Sequence, residues 1–285
     1  MRSPIKWFGG KGLLTKKLLN YVPKHKYYLE VFGGAASLLF AKEPSDFEVY
    51  NDINDGLFNF WKVLHNKETF NEFYEKAIFT YYSRSVYEYA KENWNKTNDE
   101  IEKAYLWWIV TRMNFSGDIK SGWGFTITNS HNHMTQRNSS LLSIIDKLPE
   151  IHKRIQRVQI DKKDWLKCLE TYTVNTKWNY ENSFIYLDPP YVKYTRKSGG
   201  YEHELTEEDH KKLIKYLIEN KKQNKFMLSG YDNEIYKELE KNGWKKICWD
   251  VACCAAGRTR TSGIQGKGAT FKNKQRRIEC IWMNY

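Results

Sequence analysis

The stretch Ser183-Phe-Ile-Tyr-Leu-Asp-Pro-Pro-Tyr191 constrains the fold of this chain more than any other. Phe184 to Leu187 are apolar and β-forming, as expected of a strand covered on both faces. The strand has to stop at Asp188, because Pro189 and Pro190 have no N–H to give a ladder and each fixes its own φ. A carboxylate and an aromatic ring are thereby held at the carboxyl end of a central strand, where open α/β sheets bind their ligands. A rigid turn with an N-cap aspartate is the competing reading.

The chemistry of the four residues Asp188, Pro189, Pro190 and Tyr191 suits one task. The exocyclic amine of a nucleobase is a poor nucleophile, since its lone pair is delocalised into the ring. Two acceptors aimed at its N–H bonds, the Asp188 carboxylate and the Pro189 carbonyl, would draw the nitrogen towards tetrahedral geometry and free that pair. Tyr191 offers a π-face on which an extruded base can stack. Such a site needs a methyl donor nearby, and the rest of the chain has to hold it.

Candidate elements for a donor site stand earlier in the chain. Residues 5–12, Ile-Lys-Trp-Phe-Gly-Gly-Lys-Gly, set Trp7 and Lys11 around a glycine pair, with Lys11 in reach of a ligand carboxylate. Tyr28 to Phe32 reads as a strand, Gly33-Gly34 as a turn, and Ala35 to about Ala41 as a helix. That is how the first βα turn of a doubly wound sheet lets a cofactor lie against the backbone. A second strand, Phe47 to Tyr50, ends in Asn51-Asp52-Ile53-Asn54, which places an acid where ribose hydroxyls are bound. A third, Val158 to Ile160, leads to Asp164-Trp165, placed to hold an adenine by hydrogen bond and stacking. Asp164 also reads as a plain helix N-cap. The chain has no G-x-x-x-x-G-K-[ST] loop, which argues against ATP.

Residues 57–149 change character. Helical stretches at 57–64, 68–92 and 98–113 are rich in Tyr, Trp, Lys and Glu, and most of their aromatics fall at core spacing. Thr111 to Thr126 then reads as a groove-entering hairpin or a loop packed by its own aromatics, with Arg112, Asn114, Lys120, Trp123 and, further on, Arg137 as nucleic-acid contacts. Ser139 to Ile155 reads as a helix broken at Pro149. Val192 to Leu205, with Lys193, Arg196 and Lys197, is long enough for a flap over a base, and Thr206-Glu-Glu-Asp209 opens a helix with a capping box. Phe226 to Gly230 reads as a strand and Asn233 to Asn242 as a helix. Lys246 to Ala252 and Ile278 to Met283 read as a closing hairpin. Its linker, Gly257 to Arg277, carries Arg258, Arg260, Lys267, Lys272, Lys274, Arg276 and Arg277 without one acid, as expected of a phosphate-contacting loop.

The totals agree with a polyanionic partner. The 285 residues carry a net charge of +12, and aromatics make up 16% of them. Basic groups interleaved with rings provide phosphate contacts and stacking platforms. No apolar run is long enough to span a bilayer, and the N-terminus shows no secretory h-region, so no membrane association and a cytoplasmic location are expected. Five cysteines without a C-x-x-C pair read as reduced thiols.

The ordered set Lys6-Trp-Phe-Gly-Gly-Lys11, Glu30-Val-Phe-Gly-Gly34, Asn51-Asp-Ile-Asn54, Asp164-Trp165 and Asp188-Pro-Pro-Tyr191 resembles the Dam-like, D12-class (α-ordered) DNA adenine-N6 methyltransferases. The resemblance implies an α/β fold: a seven-stranded Rossmann-like methyltransferase sheet with a helical target-recognition insertion. Residues 1–56 and 150–285 would form the catalytic domain and 57–149 the recognition subdomain. It implies cofactor contacts to S-adenosyl-L-methionine from Trp7, Lys11, Phe32, Gly33, Gly34, Asp52, Ile53, Asp164, Trp165 and Asp188, with S-adenosyl-L-homocysteine as product and no metal. Double-stranded DNA is the expected partner, with a restriction endonuclease acting on the same site in a restriction–modification pair, and a monomer the expected state. The resemblance departs at Ala36, where the family usually has a glycine, and in the Arg112-Met-Asn-Phe-Ser-Gly117 region, which lacks the longer hairpin pattern of GATC-methylating members. The alternatives are an RNA adenine methyltransferase, the same chemistry on a protein amide, and a DNA-binding relative without catalysis.

Overall fold

The computed structural model describes residues 1–7, 9–12, 14–115, 117, 119–126, 130–131, 133–174, 176–196, 202–252 and 276–285. The elements begin α1 (Thr15–Leu19), β1 (Tyr27–Glu30), α2 (Ser37–Ala41), β2 (Phe47–Asn51), α3 (Asp55–His65), α4 (Lys67–Ile78), α5 (Arg84–Asn93) and α6 (Glu100–Met113). Two short strands, β3 (Ser130–His131) and β4 (Met134–Thr135), precede α7 (Gln136–Ile145), α8 (Leu148–Ile155), β5 (Val158–Asp161), α9 (Trp165–Thr173) and β6 (Ser183–Leu187). Then come a 3-10 turn at Lys193–Thr195, α10 (Glu207–Glu219), β7 (Lys225–Tyr231), α11 (Lys237–Lys241), β8 (Lys245–Ala252) and β9 (Arg276–Met283).

Among the described residues, seven strands form one sheet in the order β5-β2-β1-β6-β7-β9-β8. β1 runs parallel to β2 on one side and to β6 on the other, β7 is parallel to β6, and β9 is antiparallel to both β7 and β8. The expected α/β fold with a Rossmann-like sheet is therefore present. From β1 the chain moves outward to β2, then returns to β6 on the other edge of β1. Strand order reverses there, and ligands of open sheets bind outside the carboxyl ends at such a reversal.

The chain divides into two compact units. One comprises Met1–Tyr21, Gly34–Pro44 and Asn54–Lys162, the other Val22–Gly33, Ser45–Ile53 and Lys163–Tyr285. These bounds differ from a division at residues 56 and 150, because the N-terminal segment and α2 cluster with the helices. In the first unit α6 is the central element. It is buried almost all round, from Ala104 through Trp107, Trp108 and Val110 to Met113, as a helix enclosed by others must be. The Asp99 side chain accepts from the Ile101 and Glu102 amides and so caps it. α3 packs closely because Gly56 has no side chain; a Cβ there would fall 2.2 Å from Trp107 Nε1.

In the second unit every residue of β6 is buried, as its composition predicts. The core joins Leu29, Val49, Ile185, Leu187, Phe226 and Leu228 from the strands to Leu169, Leu213 and Leu217 from α9 and α10. α10 opens with the expected capping box, Thr206 and Asp209 each bonding the other's backbone amide.

Three local expectations change. The helix read from Ser139 to Ile155 is two helices parted at Asp146-Lys147; Pro149 lies in the first turn of α8, where its missing N–H costs nothing. The helix read from Asn233 is regular only over Lys237–Lys241, and Gly243 ends it with φ +85. The cysteines are not all reduced thiols. Cys248 and Cys280 are directly opposed in the β8/β9 register, 4.1 Å apart at Cα, and form a disulfide, while Cys168 is buried in the core.

Candidate active site

The turn after β1 is built by its neighbour strand. The Gly33 amide donates to the Asn51 carbonyl at 2.8 Å, and a Cβ on Gly33 would lie 2.1 Å from the ring of Tyr50, which is fully buried. Gly33 is thus glycine because Tyr50 occupies the space. The Asn51 amide donates to the carbonyls of Val31 (2.9 Å) and Lys163 (3.0 Å), and its side-chain oxygen accepts from the Lys163 amide (2.8 Å). This brace ties the loop after β5 to the end of β1. It carries Asp164, exposed, whose carboxylate accepts from Leu166 N at 2.9 Å and caps α9. At the end of β2, half-buried Asp52 stands beside Ile53, 43% exposed, and Phe32 is half-buried. An open apolar side chain next to a carboxylate suits a nucleoside.

Trp165 takes a different place from the one expected. It is 7% exposed and forms one stripe of α9 with Cys168, Leu169 and Tyr172, all facing the core. Helical spacing decides its direction, so it presents no open face to an adenine.

After β6, Asp188 is half-buried, Pro189 buried and Pro190 half-buried. The β1/β6 register pairs Glu30 with Tyr186, so the Gly33 and Asp188 turns leave adjacent strand ends. Tyr191 is 4% exposed, against the expectation of an open π-face. Its hydroxyl donates to Glu279 Oε2 at 2.6 Å, and its ring meets Tyr231 edge-to-face at 4.5 Å between centroids. Behind the turn, Tyr186 shares a 2.9 Å hydrogen bond with the Ser229 hydroxyl. Burial first, and then the charges of Asp188, Glu30 and Glu279, push the Tyr186 phenol well up.

His210 of α10 is fully buried, with Nδ1 3.0 Å from the Tyr236 hydroxyl. Burial, with a smaller contribution from Arg196, lowers its pKa to about 4, opposed by Asp209, Glu204 and the Pro190 carbonyl. The ring is therefore neutral at pH 7. Because its folded value lies below the ordinary 6.5, the unfolded chain binds more protons between about pH 4 and 6.5. Its contribution is complete above 6.5 and is lost as pH falls through that window, amounting to about 3 kcal/mol. Denaturant unfolding of the parent and of His210→Gln from pH 7 to 4.5 is expected to give stabilities that converge as pH falls. Parallel curves would contradict the assignment.

In the first unit Trp7 lies 5.7 Å from Trp107 between ring centroids, and a Cβ on Gly34 would approach Trp7 Cδ1 to 3.1 Å. Gly34 also has φ +47, and Ala36 takes the same left-handed region at φ 54. Lys11 is buried, with Nζ donating to the Gly9 carbonyl at 3.3 Å. Lys6 donates to the Arg112 carbonyl at 3.1 Å; burial, then Arg112 and Arg137, lower its pKa to about 7.

The predicted nucleic-acid contacts separate into two kinds. Arg112 is buried because α6 is enclosed; it donates to the Ser140 carbonyl and hydroxyl at 3.0 and 2.9 Å, and burial lowers its pKa to about 10. Asn114 is buried too, accepting from Gly117 N at 2.7 Å and bridging Trp123. The Arg112 side chain ties the end of α6 to α7, while Asn114 stands in a hairpin closed by Phe115 N to Gly122 O and Gly124 N to Met113 O. Lys120 and the rings of Phe115 and Phe125 are exposed on it, Trp123 stacks on Phe125 at 5.6 Å, and Arg137 reaches the Asn114 and Phe115 carbonyls. Arg84 lies over the Trp123 ring at 4.7 Å, a contact hidden from the sequence because it comes from α5. In the second unit Lys193 is exposed, while Arg196 makes a two-pronged pair with Glu204 at 3.1 and 2.5 Å. Arg258, Arg260, Lys267, Lys272 and Lys274 lie outside the described residues, as do Lys197, the glycines of the expected flap and the side chains of Arg276 and Arg277.

A parallel sheet with an antiparallel strand inserted near its edge, a glycine turn after β1 and Asp-Pro-Pro-Tyr after β6 define a Rossmann-like methyltransferase fold. The family described as D12 class N6 adenine-specific DNA methyltransferase matches residues 7–251, and the chain belongs to that family. Among similar curated proteins is the Type II methyltransferase M.CviBI of Paramecium bursaria Chlorella virus NC1A, 23% identical over 85% of this chain and 90% of that relative. The DNA adenine methylase of Escherichia coli strain K12 is 27% identical over 41% of this chain and 42% of its own length. The DNA N-6-adenine-methyltransferase of Escherichia phage P1 is 26% identical over 43% of this chain and 18% of that protein. The matched segment thus spans less than half of the Escherichia coli relative.

Proposed function

We propose that this chain methylates N6 of adenine in double-stranded DNA at a defined sequence, with S-adenosyl-L-methionine as donor. The observation that carries the reading is the Asp188-Pro-Pro-Tyr191 turn at the end of β6, beside the glycine turn of β1 where strand order reverses. The donor fits the strand ends: Asp52 suits ribose hydroxyls, exposed Ile53 an adenine face, and Asp164 the adenine edge. Phe32 and the Gly33 backbone wall this site. Bound S-adenosyl-L-methionine supplies a methyl group already activated by its sulfonium.

The target base has to leave the duplex stack, at a cost of a few kcal/mol. Asp188 and the Pro189 carbonyl then accept hydrogen bonds from its amine, raising the lone pair towards the methyl carbon, and Asp188 is placed to take the proton released after transfer. Tyr191, buried behind the turn, braces these acceptors from within. Most of the acceleration is positioning and exclusion of water. DNA contacts are assigned to Lys120, Phe115 and Phe125 on the hairpin, to Lys193, and to the basic run from Arg258 and Arg260 onward. The wider reading is a cytoplasmic monomer, paired with an endonuclease for the same site where it serves in restriction–modification.

Expression in a host without adenine methylation, followed by sequencing that reads modified bases, tests the proposal. N6-methyladenine confined to one sequence context is expected. Unmodified DNA from cells holding folded protein would contradict it.

A further inference from the structure

Two prolines fix the backbone leading into Tyr191 but do not set its side-chain torsions. The side chain is held from elsewhere. Glu279 on β9 is directly opposed to Tyr231, the last residue of β7, so both side chains project on the same face of the sheet. From that face Glu279 Oε2 accepts the Tyr191 hydroxyl at 2.6 Å, and the Tyr231 ring abuts Tyr191 at 4.5 Å with planes 67° apart. A hydroxyl bonded to a carboxylate is among the stronger neutral-donor hydrogen bonds. The edge contact limits the tilt of the ring and the hydroxyl bond limits its swing.

We propose that Glu279 is a positioning residue for methyl transfer, anchoring Tyr191 through its hydroxyl so that the Asp188 and Pro189 acceptors of the same turn hold the target amine in line with the methyl carbon. The inference rests on the function proposed above and extends it to a residue 88 positions beyond the Asp-Pro-Pro-Tyr turn. A misplaced reacting atom loses rate steeply, roughly 100-fold for about 1 Å. Loss of the hydroxyl bond should therefore appear in kcat, with the donor's KM unchanged.

The test compares steady-state methylation of duplex DNA by the parent, Glu279→Ala, Glu279→Gln, Tyr191→Phe and the Tyr191→Phe/Glu279→Ala pair, with thermal midpoints alongside. Glu279→Ala is expected to lower kcat roughly 10- to 100-fold at unchanged KM for S-adenosyl-L-methionine and unchanged midpoint. Glu279→Gln, which keeps an acceptor of the same reach, restores most of the rate. Tyr191→Phe matches Glu279→Ala, and the double variant is no slower than either, because one interaction is lost in all three. Parental kcat in Glu279→Ala or in Tyr191→Phe, or losses that multiply in the pair, would overturn the proposal. Should Glu279→Ala not fold, Tyr191→Phe, which removes one oxygen, decides the matter in the same way. A parent that methylates no adenine is a separate result, overturning the proposed function and this inference together.

Discussion

Replacement of Asp188 by alanine is expected to lower methyl transfer roughly 10²- to 10⁴-fold, the range found when a positioned acid–base group is removed. The turn that carries Asp188 keeps its shape through Pro189 and Pro190, so DNA affinity and its salt dependence should stay near parental. Asp188→Asn separates charge from shape. Its side chain has the same outline, but one oxygen becomes a donor and the other a weaker, neutral acceptor. Most of the loss should therefore persist in the asparagine variant. A near-parental rate in Asp188→Asn would mean that shape alone suffices and that the carboxylate does not engage the amine.

The second large effect is expected at Gly33. A methyl there would stand 2.1 Å from Tyr50 Cε2, inside any real contact distance, against a ring that is completely buried. Overpacking of this kind costs about 1–3 kcal/mol or more, and the Gly33 amide bond to Asn51 leaves little room for the turn to retreat. Gly33→Ala should lower the thermal midpoint by roughly 5–10 °C, at about 2–4 °C per kcal/mol for a chain of this size class. In a Tyr50→Ala background the same substitution should cost little, since the obstructing ring is gone. Equal costs in both backgrounds would show that packing against Tyr50 is not what Gly33 is for.

These two sites illustrate what the sequence made legible. Ser183 to Tyr191 announced both the buried strand and its stop, because both follow from local residue types: β-forming side chains, then two residues without an N–H. The Thr206 capping box and the Asp164 cap were legible for the same reason. The Gly33-Gly34 turn was placed correctly, but the reasons for its glycines are tertiary: Tyr50 for one, Trp7 and a positive φ for the other. Such reasons depend on what the fold brings alongside.

The same limit explains the misplaced side chains. Arg112 and Asn114 looked like surface groups of a basic loop, yet α6 is enclosed and its last turn goes inward with it. Trp165 follows the stripe of α9 rather than the adjacent Asp164. Cys248 and Cys280 meet only through the β8/β9 register, and Glu279 reaches Tyr191 through the register of β9 on β7. Asn51, the brace between two strand ends, gave no signal beyond its place in Asn51-Asp-Ile-Asn54.

Methyl transfer to the amine of an adenine in duplex DNA is the activity proposed for this site. Incubation of the purified chain with tritiated S-adenosyl-L-methionine and unmethylated duplex DNA, followed by digestion to nucleosides, tests it most directly. Tritium is expected in the deoxy form of N6-methyladenosine alone, and at a rate roughly 100-fold or more lower when Asp188→Ala replaces the parent. Label in another nucleoside, or none in DNA from a chain that binds the donor, would contradict the claim.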